Sequence, residues 1–438
     1  MKISIKTFLL ALAILAATPV LAQESEATEG KTYQFSLEDC LRFAFSNSYD
    51  RKSMELNTSS QEVTYEQSRQ SRLPSVNASA SETFTNTNSG NGFNGNAGIN
   101  ASMPLYQGGT INKTIERNRL NVERSEMQLQ QYDNQLSVQI LQAFLTALSN
   151  EELLDYQQVM LNSSRAQMLQ GQERYKVGSI LESDMLLLEA QYISDSSNVI
   201  DTQISYDNSI MALKLLLSMD PLDELLIVKP DTESLDDMAS TLPTEEEALE
   251  MALEAYPNLK LSEYDILLAK NNIKLAKSNY FPSLNANAGI NTSHRDFDKM
   301  GQQFNDNFSQ SIGISLSIPI YSRGQNKANV KKSKIALEQA QLDYEQTQLD
   351  VRQTVSLAYH NVVSAYNSFK ASEMKENAYS KSYNAYDVQF QYGKITAVEL
   401  LQQQNNYLNV LNTFIRNKYS LVLQRKILDV YMGKEITL

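Results

Sequence analysis

The chain predicts a mixed fold. A long α-helical coiled-coil barrel continues into a transmembrane β-barrel, with an internally duplicated protomer that contributes four strands. Three observations carry this. First, the chain repeats itself. Ser36-Leu37-Glu38-Asp39 returns as Thr244-Glu245-Glu246-Glu247, and Arg72-Leu73-Pro74-Ser75 as Tyr280-Phe281-Pro282-Ser283, both at an offset of 208. Met103-Pro104-Leu105-Tyr106 returns as Ile318-Pro319-Ile320-Tyr321, and Tyr175-Lys176-Val177-Gly178 as Phe390-Gln391-Tyr392-Gly393, at an offset of 215. Seven extra residues in the second copy therefore lie between Pro282 and Pro319. A repeat this long is a duplicated structural half rather than a solenoid unit. Second, each half holds one very long segment without Gly or Pro, 110–170 and 325–392. Third, the apolar period switches from 3.6 to 2 between Pro74 and Pro104 and between Pro282 and Pro319.

Residues 1–22 read as a secretory signal: Lys2 and Lys6, the apolar run Phe8–Ala17, then Val20 and Ala22 before the cut. Its removal takes the net charge from −13 to −15, which argues against nucleic-acid binding. The lone cysteine, Cys40, sits in an apolar helical stripe with Leu37, Leu41 and Ala44, where a buried small hydrophobe is expected. No apolar run of about 20 residues follows, so any membrane span must be made of strands.

The first repeat, 23–220, begins with a helix over Ser36–Arg72, followed by a strand hairpin over 75–104. On the strands Val76, Ala78, Ala80 and Phe84 alternate with Asn77, Ser79, Ser81 and Thr83. Ala97, Ile99, Ala101 and Met103 alternate with Asn96, Gly98, Asn100 and Ser102. The long helix 110–170 carries the stripe Leu129, Tyr132, Leu136, Ile140, Phe144, Leu148, and a return helix 179–220 follows Gly178. An acidic, proline-flanked linker, 221–243, leads to the second repeat, 244–438. There a helix broken at Pro257 precedes the hairpin 283–319, the long helix 325–392 and the return helix 394–432. Two shorter helices stacked end to end match each long one, and the long ones span roughly 90 and 100 Å. The hairpin tips, Asn86–Gly95 and His294–Asn307, read as outward loops.

Strands of about ten residues with one apolar and one small polar face suit a lipid wall and a wet lumen. Four strands cannot close a barrel, and open edges in lipid leave backbone groups unpaired. Two, three or four copies would supply about 8, 12 or 16 strands, and only the larger counts leave an aqueous path.

This doubled order resembles the TolC-like outer membrane efflux proteins: helix, Leu-Pro hairpin, Pro-x-Tyr-x-x-Gly exit, long helix, aromatic-x-x-Gly tip and return helix. The resemblance implies a homotrimer with a 12-stranded outer-membrane barrel on a periplasmic helical tunnel. It implies passive conduction for an efflux or type I secretion system, with a periplasmic adaptor and an inner-membrane transporter as partners, in contact with outer-membrane lipid. By this resemblance the tips Gly178, Ser179, Ile180, Leu181, Asp184, Met185 and Leu186, and Gly393, Lys394, Ile395, Thr396, Glu399, Leu400 and Leu401, face the adaptor. Asn384 and Asp387 fall where the family places two acidic residues at the entrance; only Asp387 is charged, and three copies would ring the axis with carboxylates. The positions that lock the family's closed entrance are occupied by Ser380 and Lys375, so that lock is not carried over.

No enzyme motif, metal cluster or cofactor site is expected. His294 and His360 are the only histidines, and Met168, Met185 and Met374 read as packing residues rather than soft-metal ligands. The alternative is a secreted trimeric coiled-coil fibre or adhesin, which would need continuous parallel heptads and no return helices.

Overall fold

The computed structural model describes residues 31–87, 90–229, 241–295, 300–434 and 436. The signal segment, residues 230–240 of the linker and the extreme hairpin tips lie outside the described residues. The element order is β1 Thr32–Phe35, α1 Leu37–Asn47, α2 Tyr49–Gln70, β2 Ser75–Thr87, β3 Gly90–Gln107, α3 Thr110–Lys176, α4 Glu182–Leu217 and β4 Glu224–Ile227. The second half continues with α5 Glu245–Ala255, α6 Pro257–Ser278, β5 Ser283–His294, α7 Met300–Asp306, β6 Ser309–Ser317, α8 Gln325–Gln391 and α9 Ala397–Tyr431.

Several boundaries differ from expectation, each for a local reason. The helix expected over Ser36–Arg72 breaks at Ser48, whose extended backbone (ψ 121°) and side chain cap α2 through the Arg51 N–H. Ser48 matches Tyr256, 208 residues on, which is extended in the same way ahead of Pro257. The second break shows in the sequence as a proline; the first shows only as a capping serine. The helix expected to stop at 170 runs on through Gly171, whose missing Cβ would sit 2.6 Å from Leu188 Cδ1. That glycine permits close packing of α3 on α4 instead of ending α3. Both return helices start three residues later than expected, because an extended stretch follows each tip glycine.

The hairpins join into one antiparallel sheet of order β2-β3-β5-β6. Register sets Ala78 beside Ile99, Ile99 beside Ile290, and Ala286 beside Ile314. On the opposite face Asn77 meets Asn100, Asn100 meets Gly289, and Gly289 meets Ser311. One face is therefore apolar across all four strands, and the other is Asn, Ser and Gly. Most of the apolar face is uncovered: Val76, Ile99, Ile312, Ile314 and Leu316 are exposed, and only its end at Thr292 and His294 is covered, by α7, among the described residues. The strands are 13, 18, 12 and 9 residues long rather than a uniform ten. The first expected tip loop is largely ladder, since pairing continues to Thr87–Gly90. In the second, the seven extra residues of this copy are accommodated where α7 forms, between β5 and β6.

Below the sheet, α3 and α8 run as 67-residue rods, about 100 Å each. Near the sheet they belong to a row in which α2 packs on α3, α3 on α6, and α6 on α8. Farther down, α4 packs on α3, and α9 packs on both α3 and α8. Mid-rod, Ile140, Leu141, Phe144 and Leu148 of α3 bury against Leu213 and Leu217 of α4 and Leu37, Cys40 and Ala44 of α1. Burial pushes the Cys40 thiol up to about 12, so it stays a protonated packing group. This core also takes in a pairing that hydropathy did not signal. β1 and β4 form a two-stranded parallel sheet, and Tyr33 and Phe35 pack with Leu225 and Ile227.

Candidate channel entrance and docking tips

Each rod ends on the same backbone device. Gly178 (φ +72°) donates to Tyr175 O at 2.9 Å, and Ser179 N–H donates to Arg174 O at 2.8 Å. Gly393 (φ +69°) donates to Phe390 O at 2.9 Å, and Lys394 N–H donates to Gln389 O at 2.9 Å. This pair of bonds satisfies the last helical carbonyls and reverses the chain, and it requires a left-handed residue that glycine supplies without a Cβ clash.

After the reversal the tips diverge. Thr396 opens α9 with a full capping box. Its hydroxyl accepts from Glu399 N–H, and the Glu399 carboxylate accepts from Thr396 N–H at 2.9 Å. The backbone and hydroxyl hydrogen bonds from Thr396 hold the Glu399 carboxyl below its ordinary range. The matching residue of the first tip is Leu181, which has no side-chain cap to offer and is exposed. Its helix compensates with Glu182 and Asp184 in the first turn, favourable charges at a helix N-terminus. Ile180, Asp184 and Met185 are half-buried, while Leu186 is exposed. On the second tip Ile395 is half-buried, Lys394 is exposed, Leu401 is largely buried and Leu400 is wholly buried. Leu400 therefore packs the lower core with Leu411 and Ile415 and offers no surface to a partner, contrary to expectation.

Side chains tie the two tips together. The Arg174 guanidinium of α3 donates to Phe390 O at 2.9 Å and to Gln391 O, and lies 5.3 Å from the centre of the Phe390 ring. A cation thus completes the carbonyl end of the neighbouring rod. Two turns up, Gln167 Nε2 donates to Asp387 Oδ1 at 2.8 Å, and Gln391 Nε2 donates to Asp387 Oδ2 at 2.8 Å. Ser163 Oγ lies 3.2 Å from Tyr383 OH, and Tyr383 stacks on Tyr407 at 5.6 Å. Burial raises both phenols, so they act as neutral hydrogen-bonding groups. Asp387 is half-buried in this polar seam; Asn384, one turn earlier, is exposed and outside it. The sequence alone did not single out Arg174, Gln167 or Tyr383. Their partners lie more than 200 residues away, and spacing along one helix cannot reveal them.

The sequence pattern of the family described as "Outer membrane efflux protein" matches residues 42–218 and 248–434, one segment in each half. The chain belongs to this family. It is 24% identical over 251 residues to the outer membrane protein TolC of Vibrio cholerae, a match spanning 55% of this chain and 54% of that protein. It is 25% identical over 313 residues to the cation efflux system protein CusC of Escherichia coli K12, covering 68% of this chain and 64% of that protein. The chain thus spans somewhat more than half the length of the curated relatives it matches. A crystal structure of CusC superposes with a TM-score of 0.77 over 91% of this chain and 92% of that one, at 19% identity. The fold is therefore that of an outer-membrane channel, with a helical rod section and a β-sheet end. The fibre alternative is not favoured, since α3 and α4 are antiparallel neighbours and the sheet presents a largely exposed apolar face.

Proposed function

We propose that this protein is the outer-membrane channel of a tripartite efflux or type I secretion system. It conducts cargo passively and carries out no chemistry; an inner-membrane transporter supplies the energy. The observation that carries this reading is the four-stranded sheet, largely apolar on one face and unclosed at β2 and β6, set on rods long enough to bridge a periplasm.

The rods support closure by identical copies. At one end of the upper row α2 exposes Tyr49, Leu56 and Val63; at the other α8 exposes Ile335, Leu342 and Leu349. Both stripes step by seven residues. α2 ends and α8 begins at the sheet, so the stripes lie at similar depths and run antiparallel. A left-handed seam between neighbouring protomers would bury them. Three copies would give 12 strands, a closed wall with a wet polar lumen.

In this reading Asp387 lines the entrance, with Asn384 beside it, and the turns at Gly178 and Gly393 seat a periplasmic adaptor. The exposed adaptor-facing surface comprises Ser179, Leu181, Leu186, Lys394 and Thr396, with Ile180, Asp184, Ile395 and Glu399 bordering it. Leu400 supports it from the core. The halves 23–220 and 244–438 act as two pseudo-equivalent staves. The test is conductance of purified, heat-modifiable trimers in planar bilayers. Cation-selective channels, with selectivity reduced in Asp387→Ala, are expected. A non-conducting species would remove the channel assignment, and unchanged selectivity would remove Asp387 from the entrance.

A further inference from the structure

Near the outer rim, the apolar face of the sheet carries a carboxylate–imidazole pair. Glu82 of β2 and His294 of β5 lie on the face that bears Val76, Ala78, Ile99 and Ile290, each two residues farther along its strand than Ala80 and Thr292. Strand β3 runs between them, and Gly95 is register partner to both. A Cβ at Gly95 would stand 2.1 Å from His294 Nε2 and 2.5 Å from Glu82 Oε2. Because that position is bare, the two side chains meet above it, Nε2 to Oε2 at 2.9 Å. The carboxylate can only accept, so Nε2 carries the hydrogen. The bridge laces three strands across the outer wall.

His294 was expected in an outer loop. It is instead the last residue of β5 and is 2% exposed. The Phe304 ring of α7 meets the imidazole edge-on, with centroids 5.2 Å apart. Thr292, on the same face, donates its hydroxyl to Phe304 O at 2.6 Å. Gln303 Oε1 accepts from Arg295 N–H at 2.7 Å, and Asn307 Nδ2 donates to Ser293 O at 2.8 Å.

We infer that Glu82, Gly95, His294 and Phe304 form a strap that folds the β5–β6 surface segment against the outside of the barrel, away from the lumen. The geometry follows from parity: a group seated on Thr292 and His294 is on the lipid side, because the lumen side carries Asn291 and Ser293. The polar residues of α7 that remain exposed, Gln302, Asn305 and Asp306, then face the outer-leaflet headgroup layer. The outer mouth is left clear of α7, which suits a duct whose control lies at its other end.

This inference rests on the channel reading, and one experiment separates their failures. Single-channel conductance is compared between wild-type trimers and trimers in which residues 300–306 are replaced by a short Gly-Ser linker. Unchanged conductance is expected, since α7 does not obstruct the path; increased conductance would place α7 over the lumen and overturn the strap. In Glu82→Ala and Gly95→Ala trimers the strap loosens, and brief closures are expected several-fold more often as the segment visits the mouth. Wild-type-like quiet traces in both, from trimers of normal heat-modifiability, would also overturn it. A wild-type trimer that does not conduct at all removes the channel reading itself.

Discussion

The two periplasmic tips arise from one duplicated segment, and they differ in a telling way. Their reversals are the same hydrogen-bonded turn around Gly178 and Gly393. Their restarts are not. The second tip closes its helix with Thr396 and Glu399 and buries Leu400; the first leaves Leu181 exposed at the cap position and Met185 half-buried where Leu400 would be. The turn is dictated by backbone geometry, so both copies keep it. Capping and side-chain burial are free to diverge, and the first tip has no side-chain cap and leaves Leu181 exposed. The second tip closes its own cap and buries Leu400, though Tyr392 and Val398 are exposed; the first leaves Leu181, Leu186 and Leu187 exposed beside an open cap.

The largest test of this contrast is a matched pair of truncations. Leu400→Ala leaves a cavity in the lower core and should cost about 2–5 kcal/mol, read as a lowered denaturation midpoint of the detergent-solubilised trimer. Met185→Ala at the equivalent position should cost well under half of that. Equal losses would show that the first tip is buried in the assembly and would end the contrast. Next in size is Arg174→Ala, which removes charged hydrogen bonds to the carbonyl end of α8. A loss of about 1.5–3 kcal/mol is expected, with faster amide exchange at Gln391–Lys394 and none of it recovered by adding salt. Arg174→Lys should restore little, because a single ammonium does not reproduce the forked guanidinium contact.

The smallest effects lie at the caps. Thr396→Ala should destabilise the start of α9 by about 1 kcal/mol, and Leu181→Thr should stabilise α4 by a similar amount while weakening adaptor capture. Stabilisation together with tighter capture would refute a docking role for Leu181. Acidity should sharpen the same contrast. The Glu399 carboxyl is depressed in the folded protein, so its contribution is complete above its unfolded value and is lost as pH falls through the folded one. Amide protection at Val398–Leu400 should therefore drop in acid; protection that is flat with pH would show that the capping box does not hold this turn.

Much of this architecture was legible in the chain. Strand alternation exposed the lipid face because side-chain parity is a strictly local property. The tip glycines were visible because a left-handed turn tolerates few other residues. Rod length could be read from the scarcity of Gly and Pro, but Gly171 misled, since a glycine that admits a neighbouring helix looks like one that ends its own. What stayed hidden depends on distant partners. Arg174 and Gln167 are ordinary helix residues until α8 arrives beside them. His294 looked like part of a polar loop because its burial comes from α7 and from an empty position on β3. The β1–β4 pair was missed because four-residue strands carry too little periodicity to register.

That small pair has a consequence for biogenesis. Lys31 N–H bonds to the Asp223 carboxylate across 192 positions, and β1 has no ladder partner among the described residues other than β4. An exported polypeptide emerges from its amino end, so β1 must wait, unpaired, until the whole first stave has been delivered. Docking of 224–227 then acts as a completion signal, drawing the leading end back to mid-chain and finishing the waist of the rod. Interrupting that closure with a proline at Leu226 should delay assembly in the envelope far more than it weakens the finished cylinder.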